Sequence, residues 1–545
     1  MLRHPRVRGS HHPEICHPRE PATIHGHDPI IRAFDKGERY GNYPGRLPIK
    51  SSTTRPRRSG LFRARYSRTT KAPIEWATRW IRFPGSISVG FRFTLASGHR
   101  EYRLPMPTLS DLPVPSVTPT EWRRVTLAVL AVGALMFFIV KSRPPSRVEE
   151  PVIAPWTTAV AREKKRQETL LRTINGNLDL PLTAAYDRRW QGFLGAVKWH
   201  PDRRPEVLAA IRRRLALPPL LPGASAGSVE TQRLALETAY GLFPTELEPE
   251  MRQIFLHDTD PKRLAMAGAW LSRFEKTPAN HEALAASLIQ RFPDWAQEPR
   301  LLGFITELSE PRARVIAQRP DLSDLLKAPF DGRPVVFSFQ RIDRRQPGRA
   351  AVRHADGSFI VEPDGQPFTA TQFALSASGL PGTLTNGNTP CGIFDIAEIS
   401  TTRNTAIGPS ELLVLQLPLE NPGAMPPWTE SRYLSLLPAS WQQWWPIREA
   451  WWAGLAGRNE ILAHGTAIDP TPWLDSPFSG QTPSHGCLTC EESWDPATGR
   501  RLSSEQARLV EAFRRAGGSP GYLVVVELDD RNTPVSHKEM ASRLK

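Results

Sequence analysis

Cys487 lies in the run Ser484-His485-Gly486-Cys487-Leu488-Thr489, and a second histidine, His464, stands in Ile461-Leu-Ala-His464-Gly465-Thr466. A cysteine becomes a catalytic nucleophile when a base lies within hydrogen-bond reach of its thiol and N–H donors await the oxyanion that its attack creates. Gly486 lets backbone N–H groups come close to the sulfur on a tight turn, His485 is its neighbour, and His464 falls at the end of a separate apolar run. These residue types suit a thiolate–imidazolium pair, with the thiol pulled below its usual ~8.5. Taken alone they suit a buried cysteine beside core histidines equally well.

A third stretch, Gly387-Asn-Thr389-Pro390-Cys391-Gly392-Ile393-Phe394, precedes both. In order and spacing the three together resemble the L,D-transpeptidase (YkuD-type) catalytic domain. That family shows a Thr-Pro-x-Gly-x-Phe strand, then His-Gly-Thr, then Ser-His-Gly-Cys followed by a hydrophobic residue. Ser376-Ala-Ser-Gly-Leu-Pro-Gly382 also looks like the strand and turn that lead into the Thr-Pro motif. The resemblance covers residues 333–529. It implies that Cys487 is the nucleophile and His464 its base, with the Gly465 backbone orienting the imidazole and His485 beside the thiol. It also implies Gly486 and Cys487 N–H groups as oxyanion donors, with Ser484 and Thr466 shaping the pocket floor. Such enzymes form an acyl-enzyme from the third residue of a peptidoglycan stem tetrapeptide and release the terminal D-Ala. An amine acceptor then takes the acyl group. No cofactor and no metal is expected.

The match departs from the family at Thr489, where the family usually places Arg or Asn in contact with a substrate carboxylate or the loop backbone. A peptidoglycan L,D-carboxypeptidase or amide hydrolase using the same cysteine is therefore the nearest alternative. A non-catalytic peptidoglycan-binding scaffold is the alternative of another class. Cys490 makes Cys487-Leu-Thr-Cys490 a C-x-x-C; no βαβ pattern surrounds it, so a reversible disulfide that blocks the nucleophile is the reading of interest. Cys391 reads as a small buried residue. Between the first two motifs lie Trp428, Trp441, Trp444, Trp445, Trp451 and Trp452. They form either an aromatic mini-core or a platform, and the adjacency of Trp444 and Trp445 predicts that at least one of them meets solvent, substrate or lipid.

Elements must position these groups. Val335-Val-Phe-Ser-Phe, Ser358-Phe-Ile-Val, Leu412 to Leu417 and Tyr522 to Leu528 are β-rich, and Asp356-Gly357 is a turn signal. One helix runs from Ser503 to Arg515, with Ser503 and Gln506 as a capping box and Gly517-Gly518 as its stop. A mostly-β catalytic domain over 333–529 follows, with 530–545 as a tail. Upstream, residues 167–327 carry successive helical patterns at the spacing of solenoid helix pairs. Asp260-Pro261 opens one with Leu264, Ala267, Leu271 and Phe274 on its inner face. Pro278 opens another with Leu284, Leu288 and Ile289 inside. This domain either binds a protein partner or spaces the catalytic domain.

The N-terminal part has a different character. The chain holds 70 Lys and Arg against 55 Asp and Glu, a formal charge of +15. Residues 1–124 hold 23 of those bases and 9 of the acids, so the remainder is almost neutral, which argues against a basic nucleic-acid-binding enzyme. The basic, Pro- and Arg-rich stretch predicts disorder, or a start at Met106 that leaves most of it untranslated. Val125 to Val140 is sixteen residues without a charge, bounded by Arg124 and Lys141. It reads as a single transmembrane anchor followed by a linker over 141–166. The expectation is thus an α+β multidomain protein: disordered N-terminus, one membrane helix, helical middle and catalytic domain. That places it in the inner membrane, single-pass, with the catalytic domain periplasmic.

Overall fold

The computed structural model describes residues 160–544 apart from 217–224, 405, 422, 424–425, 469 and 479. The basic stretch 1–124, the apolar segment 125–140 and most of the linker lie outside the described residues. The described part begins with ten helices: α1 (Val160–Asn175), α2 (Asp187–Trp199), α3 (Pro205–Leu215), α4 (Ala226–Leu242), α5 (Glu248–His257), α6 (Pro261–Phe274), α7 (Pro278–Arg291), α8 (Pro299–Ser309), α9 (Arg312–Ala317) and α10 (Leu322–Lys327). Their starts are chemically set. Asp260 Oδ1 accepts from Arg263 N at 2.9 Å and Thr277 Oγ1 from Asn280 N at 3.2 Å, and Pro occupies the first turn of both helices. Alternate helices stack in a row, α2 on α4, α4 on α6 and α6 on α8, around Trp190, Phe193, Leu236, Met251 and Trp270. Phe274 and Ile289, expected inside, are exposed, because the apolar stripe narrows toward each helix end.

The rest of the chain builds a closed barrel in the order β1-β10-β4-β5-β6-β7-β3-β2. Its strands are β1 (Val335–Gln340), β2 (Gly348–Arg353), β3 (Ala370–Phe373), β4 (Gly392–Ser400), β5 (Leu412–Gln416), β6 (Leu462–His464), β7 (Leu488–Cys490) and β10 (Gly521–Glu527). A separate hairpin pairs β8 (Glu492–Trp494) with β9 (Arg501–Ser504). The contacts β1–β10 and β6–β7 are parallel; the others are antiparallel. Period-2 alternation gives the barrel two apolar faces. Val336, Phe394, Leu413, Leu488, Leu523 and Val525 share one core with Leu509, Val510 and Phe513 of α14 (Glu505–Arg515). Phe337, Phe339, Ile393, Val524 and Val526 face the opposite way, onto a second core. The α14 cap is Ser504, one residue later than the sequence suggests, with Oγ accepting from Ala507 N.

That second core is where the tryptophans go. The 417–461 insertion folds as α11 (Glu430–Ser435), α12 (Ala439–Gln442) and α13 (Glu449–Leu455), and all six tryptophans are buried. Trp444 and Trp445 are 5% and 6% exposed, which corrects the expectation that one of them meets solvent. The insertion is covered on both sides. Trp444 Nε1 donates to Val315 O on α9, while Trp445 stacks on Trp452 beneath the Arg312 guanidinium. Residues 530–544 do not hang free either. α15 (His537–Arg543) places Met540 in the same core, and Arg341 pairs with Asp529 and Glu539.

Two expectations are corrected here. The C-terminal region is not a mostly-β domain but a closed eight-stranded barrel with helices, so the described residues form a mixed α+β arrangement. The short insertion helices escape periodicity because Trp and Pro crowd them and none exceeds two turns. Second, the single-pass, inner-membrane reading stands against this finding: among the described residues no helix is long and apolar enough to cross a membrane. That reading rested on sixteen residues, fewer than the ~20 a span usually needs, and they lie outside the described residues.

Helical body, insertion and barrel meet at a buried ion cluster. Arg312 of α9 donates to Glu449 Oε1 at 3.0 Å and to both Glu527 oxygens at 3.1 Å, and Arg344 reaches Glu527 at 2.9 Å. Removing one partner leaves an uncompensated buried charge, so Glu449→Ala is expected to destabilise the protein by ~3–5 kcal/mol. Glu430→Ala, which breaks the more exposed pair with Arg448, should cost less than ~1 kcal/mol. Urea unfolding followed by tryptophan fluorescence measures both.

Candidate active site

Cys487 sits at the mouth of β7, on a turn that its own sequence closes. Ser484 Oγ accepts from Gly486 N at 2.9 Å and donates to Cys487 O at 2.8 Å. Gly486 has φ +114, and a Cβ there would overlap the Arg458 guanidinium, so only glycine fits. The turn is tied to the 376–389 loop, because Ala377 N donates to Ser484 O and Thr389 Oγ1 to Gly486 O. With Gly486 N–H occupied by Ser484, the Cys487 N–H is left of the two oxyanion donors expected.

Strand register sets the histidine. β6 and β7 run parallel with Ala463 opposite Leu488 and His464 opposite Thr489. Ala463 and Leu488 enter the barrel core, so Leu462, His464, Cys487 and Thr489 face the other way. His464 and Cys487 are therefore diagonal neighbours on one face, about 8 Å apart at Cα by strand geometry. No hydrogen bond joins them. Cys487 Sγ instead accepts from Leu462 N at 3.4 Å and lies 3.8 Å from Glu460 O. His464 Nδ1 bonds Gly465 O, which fixes the Nδ1–H tautomer and leaves Nε2 to accept a proton. Such bonds tighten only when substrate is bound, so the gap does not remove His464 as a base.

The electrostatics correct one expectation. Burial pushes the half-buried Cys487 thiol up to about 11, against the opposing pull of Leu462 N–H and Arg458. Burial pushes His464 down to about 4, with the Gly465 carbonyl opposing. The resting pair is neutral thiol and neutral imidazole rather than thiolate–imidazolium, because neither ion has enough partners to offset desolvation.

The helical body completes the surroundings. His485, exposed at the turn, stacks on Trp199 of α2 with centroids 5.2 Å apart. Lys198 pairs with Glu237 at 2.8 Å, and Glu237 Oε2 accepts from Asn386 Nδ2 of the loop at 3.4 Å. Thr489 and Thr466 are buried and already engaged: Thr489 Oγ1 donates to Thr482 O, and Thr466 Oγ1 accepts from Thr482 Oγ1 and Ile468 N. The Thr489 hydroxyl proton is thereby spent, and both lone pairs of Thr466 Oγ1 are engaged. Cys490 lies in the barrel core beside Gln372, on the strand face opposite Cys487, and both thiols are free. Cys391 is buried against Arg344. Among the described residues no group of three or more His, Cys, Asp or Glu side chains could hold a metal ion.

Sequence reasoning missed four residues here. Arg458 and Glu449 come from the insertion. Trp199 comes from the helical body. Glu492 presses its carboxylate on Gly465, accepts from Ser410 and Ser504 at 2.5 Å, and is pushed up to about 7 by burial. Trp199 and Glu449 are distant in sequence from the three motifs, and Arg458 and Glu492, although within six residues of His464 or Cys487, belong to none of them.

No family model, no curated protein and no solved structure matches the chain. The likeness to L,D-transpeptidases therefore rests on the three motifs alone.

Two outcomes follow from the neutral pair. Iodoacetamide alkylation of Cys487, read by peptide mass spectrometry, should rise about tenfold per pH unit from about pH 7 to about pH 10; an ion pair would plateau instead. The fold holds His464 neutral, so its stabilising contribution is whole above pH ~6.5 and is lost as pH falls toward 4. His464→Gln should accordingly retain roughly 3 kcal/mol more of its neutral-pH stability at about pH 4 than the parent does.

Proposed function

We propose that the protein is a cysteine acyltransferase of the L,D-transpeptidase type, acting on peptidoglycan stem peptides through an acyl-enzyme on Cys487. The observation that carries this reading is the pairing of a half-buried thiol on a glycine turn with a histidine on the same face of the adjacent parallel strand, its Nε2 free. His464 Nε2 takes the thiol proton as the sulfur attacks the carbonyl of the third stem residue. The Cys487 N–H and the low-dielectric turn support the oxyanion. Collapse forms a thioester, and the imidazolium passes its proton to the departing D-Ala amine. An acceptor amine then attacks the thioester, loses a proton to His464, and the thiolate is reprotonated. Because thiol and imidazole are neutral at rest, deprotonation accompanies the attack instead of preceding it.

Thr489 bears on the acceptor. Its hydroxyl is spent on Thr482 O, so no side chain at that position reaches a substrate carboxylate. With water as acceptor the same machinery is an L,D-carboxypeptidase.

The test is incubation with disaccharide tetrapeptide and mass analysis of products. Loss of D-Ala with cross-linked dimer is expected; loss without dimer indicates hydrolysis. Cys487→Ala should abolish both, at least about 10³-fold, and His464→Ala should cost about 10²–10⁴-fold. Parent activity unchanged by Cys487→Ala overturns the reading. A carbapenem adduct on the Cys487 peptide is the independent check.

A further inference from the structure

The short helix α13 grips the nucleophile's surroundings from both of its ends. At its start, Glu449 Oε1 accepts from Gly382 N at 3.2 Å and Oε2 from Cys391 N at 2.9 Å. At its end the chain turns through Gly457, at φ +75, and Arg458 N closes back on Ala453 O at 3.0 Å. This helix stop aims the Arg458 side chain inward. Its Nη1 donates to Gly382 O and to Asn388 O (2.7 Å), and its Nη2 to Gly387 O at 2.6 Å. Gly382 is thus held at its N–H by Glu449 and at its carbonyl by Arg458. Arg458 is 6% exposed, and its guanidinium lies against Gly486, one residue before the nucleophile.

That position has electrostatic consequences. Cys487 Sγ has one N–H donor, Leu462, and no hydrogen bond to a cation. Arg458 opposes the desolvation that raises the thiol, while Glu460 adds to it. Its three protein hydrogen bonds leave two of the five guanidinium N–H groups uncommitted. Thr489, where the resemblance leads one to expect Arg or Asn, supplies no charge.

We propose that Arg458 is the positioning residue for Cys487: it locks the 382–389 loop beneath the nucleophile turn and supplies the positive charge that favours the sulfur anion during attack. The residue beside the nucleophile turn that holds the loop backbone comes here from the tryptophan-rich insertion instead of from the position two residues after the cysteine. The proposal rests on Cys487 being the nucleophile proposed above.

The test compares Arg458→Lys with Arg458→Met in the full chain, reading Cys487 alkylation at about pH 9 by peptide mass spectrometry. Both variants lose the forked bonding, so both should unfold at lower temperature than the parent. Only the methionine variant loses the charge, and its alkylation should be about tenfold slower, equivalent to about one pKa unit. Lysine should stay within about threefold of the parent. Methionine and lysine variants with equal rates, or a methionine variant at the parent rate, overturn the proposal. If the methionine variant does not fold, Arg458→Gln replaces it; and lysine slowed tenfold overturns the proposal by itself. Alkylation needs no substrate, so the result is separable from the reading above. A parent that alkylates as expected but leaves tetrapeptide untouched refutes the transpeptidase reading and not this one.

Discussion

The Glu449 carboxylate is sealed from water and accepts from two backbone N–H groups while facing the Arg312 guanidinium. An anion cannot persist in such a place unless every partner stays put. Each partner belongs to a different part of the chain: Gly382 and Cys391 to the loop and strand of the Thr-Pro motif, Arg312 to the helical body, Glu449 to the insertion. Arg312 carries the same demand onward to Glu527 at the end of β10. The ionic requirement of one side chain thereby fixes the relation between helices, insertion and barrel. The tryptophans fill the space that this frame encloses, and their mutual contacts are T-shaped or stacked as fit dictates.

The frame also explains why the candidate catalytic pair is held neutral. A site assembled from apolar strand ends and buried loops offers few dipoles, and both Cys487 and His464 keep their uncharged forms there. In the proposed reaction charge is created only as the sulfur attacks, where fixed groups count for most because they need no reorganisation. The fixed groups on this face are few and identifiable: the Leu462 and Cys487 N–H groups, the Gly465 carbonyl behind the imidazole, and the Arg458 guanidinium.

Local chemistry was legible in the sequence; long-range assembly was not. The turn Ser484 to Cys487, the cap at Asp260, the helix start at Pro278, and strands such as Leu412–Gln416 and Gly521–Glu527 arise from residues within a few positions of one another. The Ser358 run was overread, since only isolated bridges form at Phe359 and Val361. Closure of the barrel depends on β1 pairing with β10 across nearly the whole domain, and β1 alone does not disclose that partner. The candidate site divides the same way. Cys487 and His464 stand in motifs, whereas Arg458, Glu449 and Trp199 act through contacts that only folding brings about. The error over Trp444 and Trp445 has the same origin: adjacency dictates opposite directions, but not what waits on each side.

The stack of Trp199 on His485 bears on how the protein can vary. The helical body touches the turn that carries Cys487 directly, so the barrel is not a cassette that can be spliced onto another carrier unchanged. A recombination event between 327 and 333 would leave His485 without its aromatic neighbour and Glu449 without Arg312. Substitutions in the helices around Trp199 or Arg312 are therefore felt at the His485 turn and at the Glu449 carboxylate.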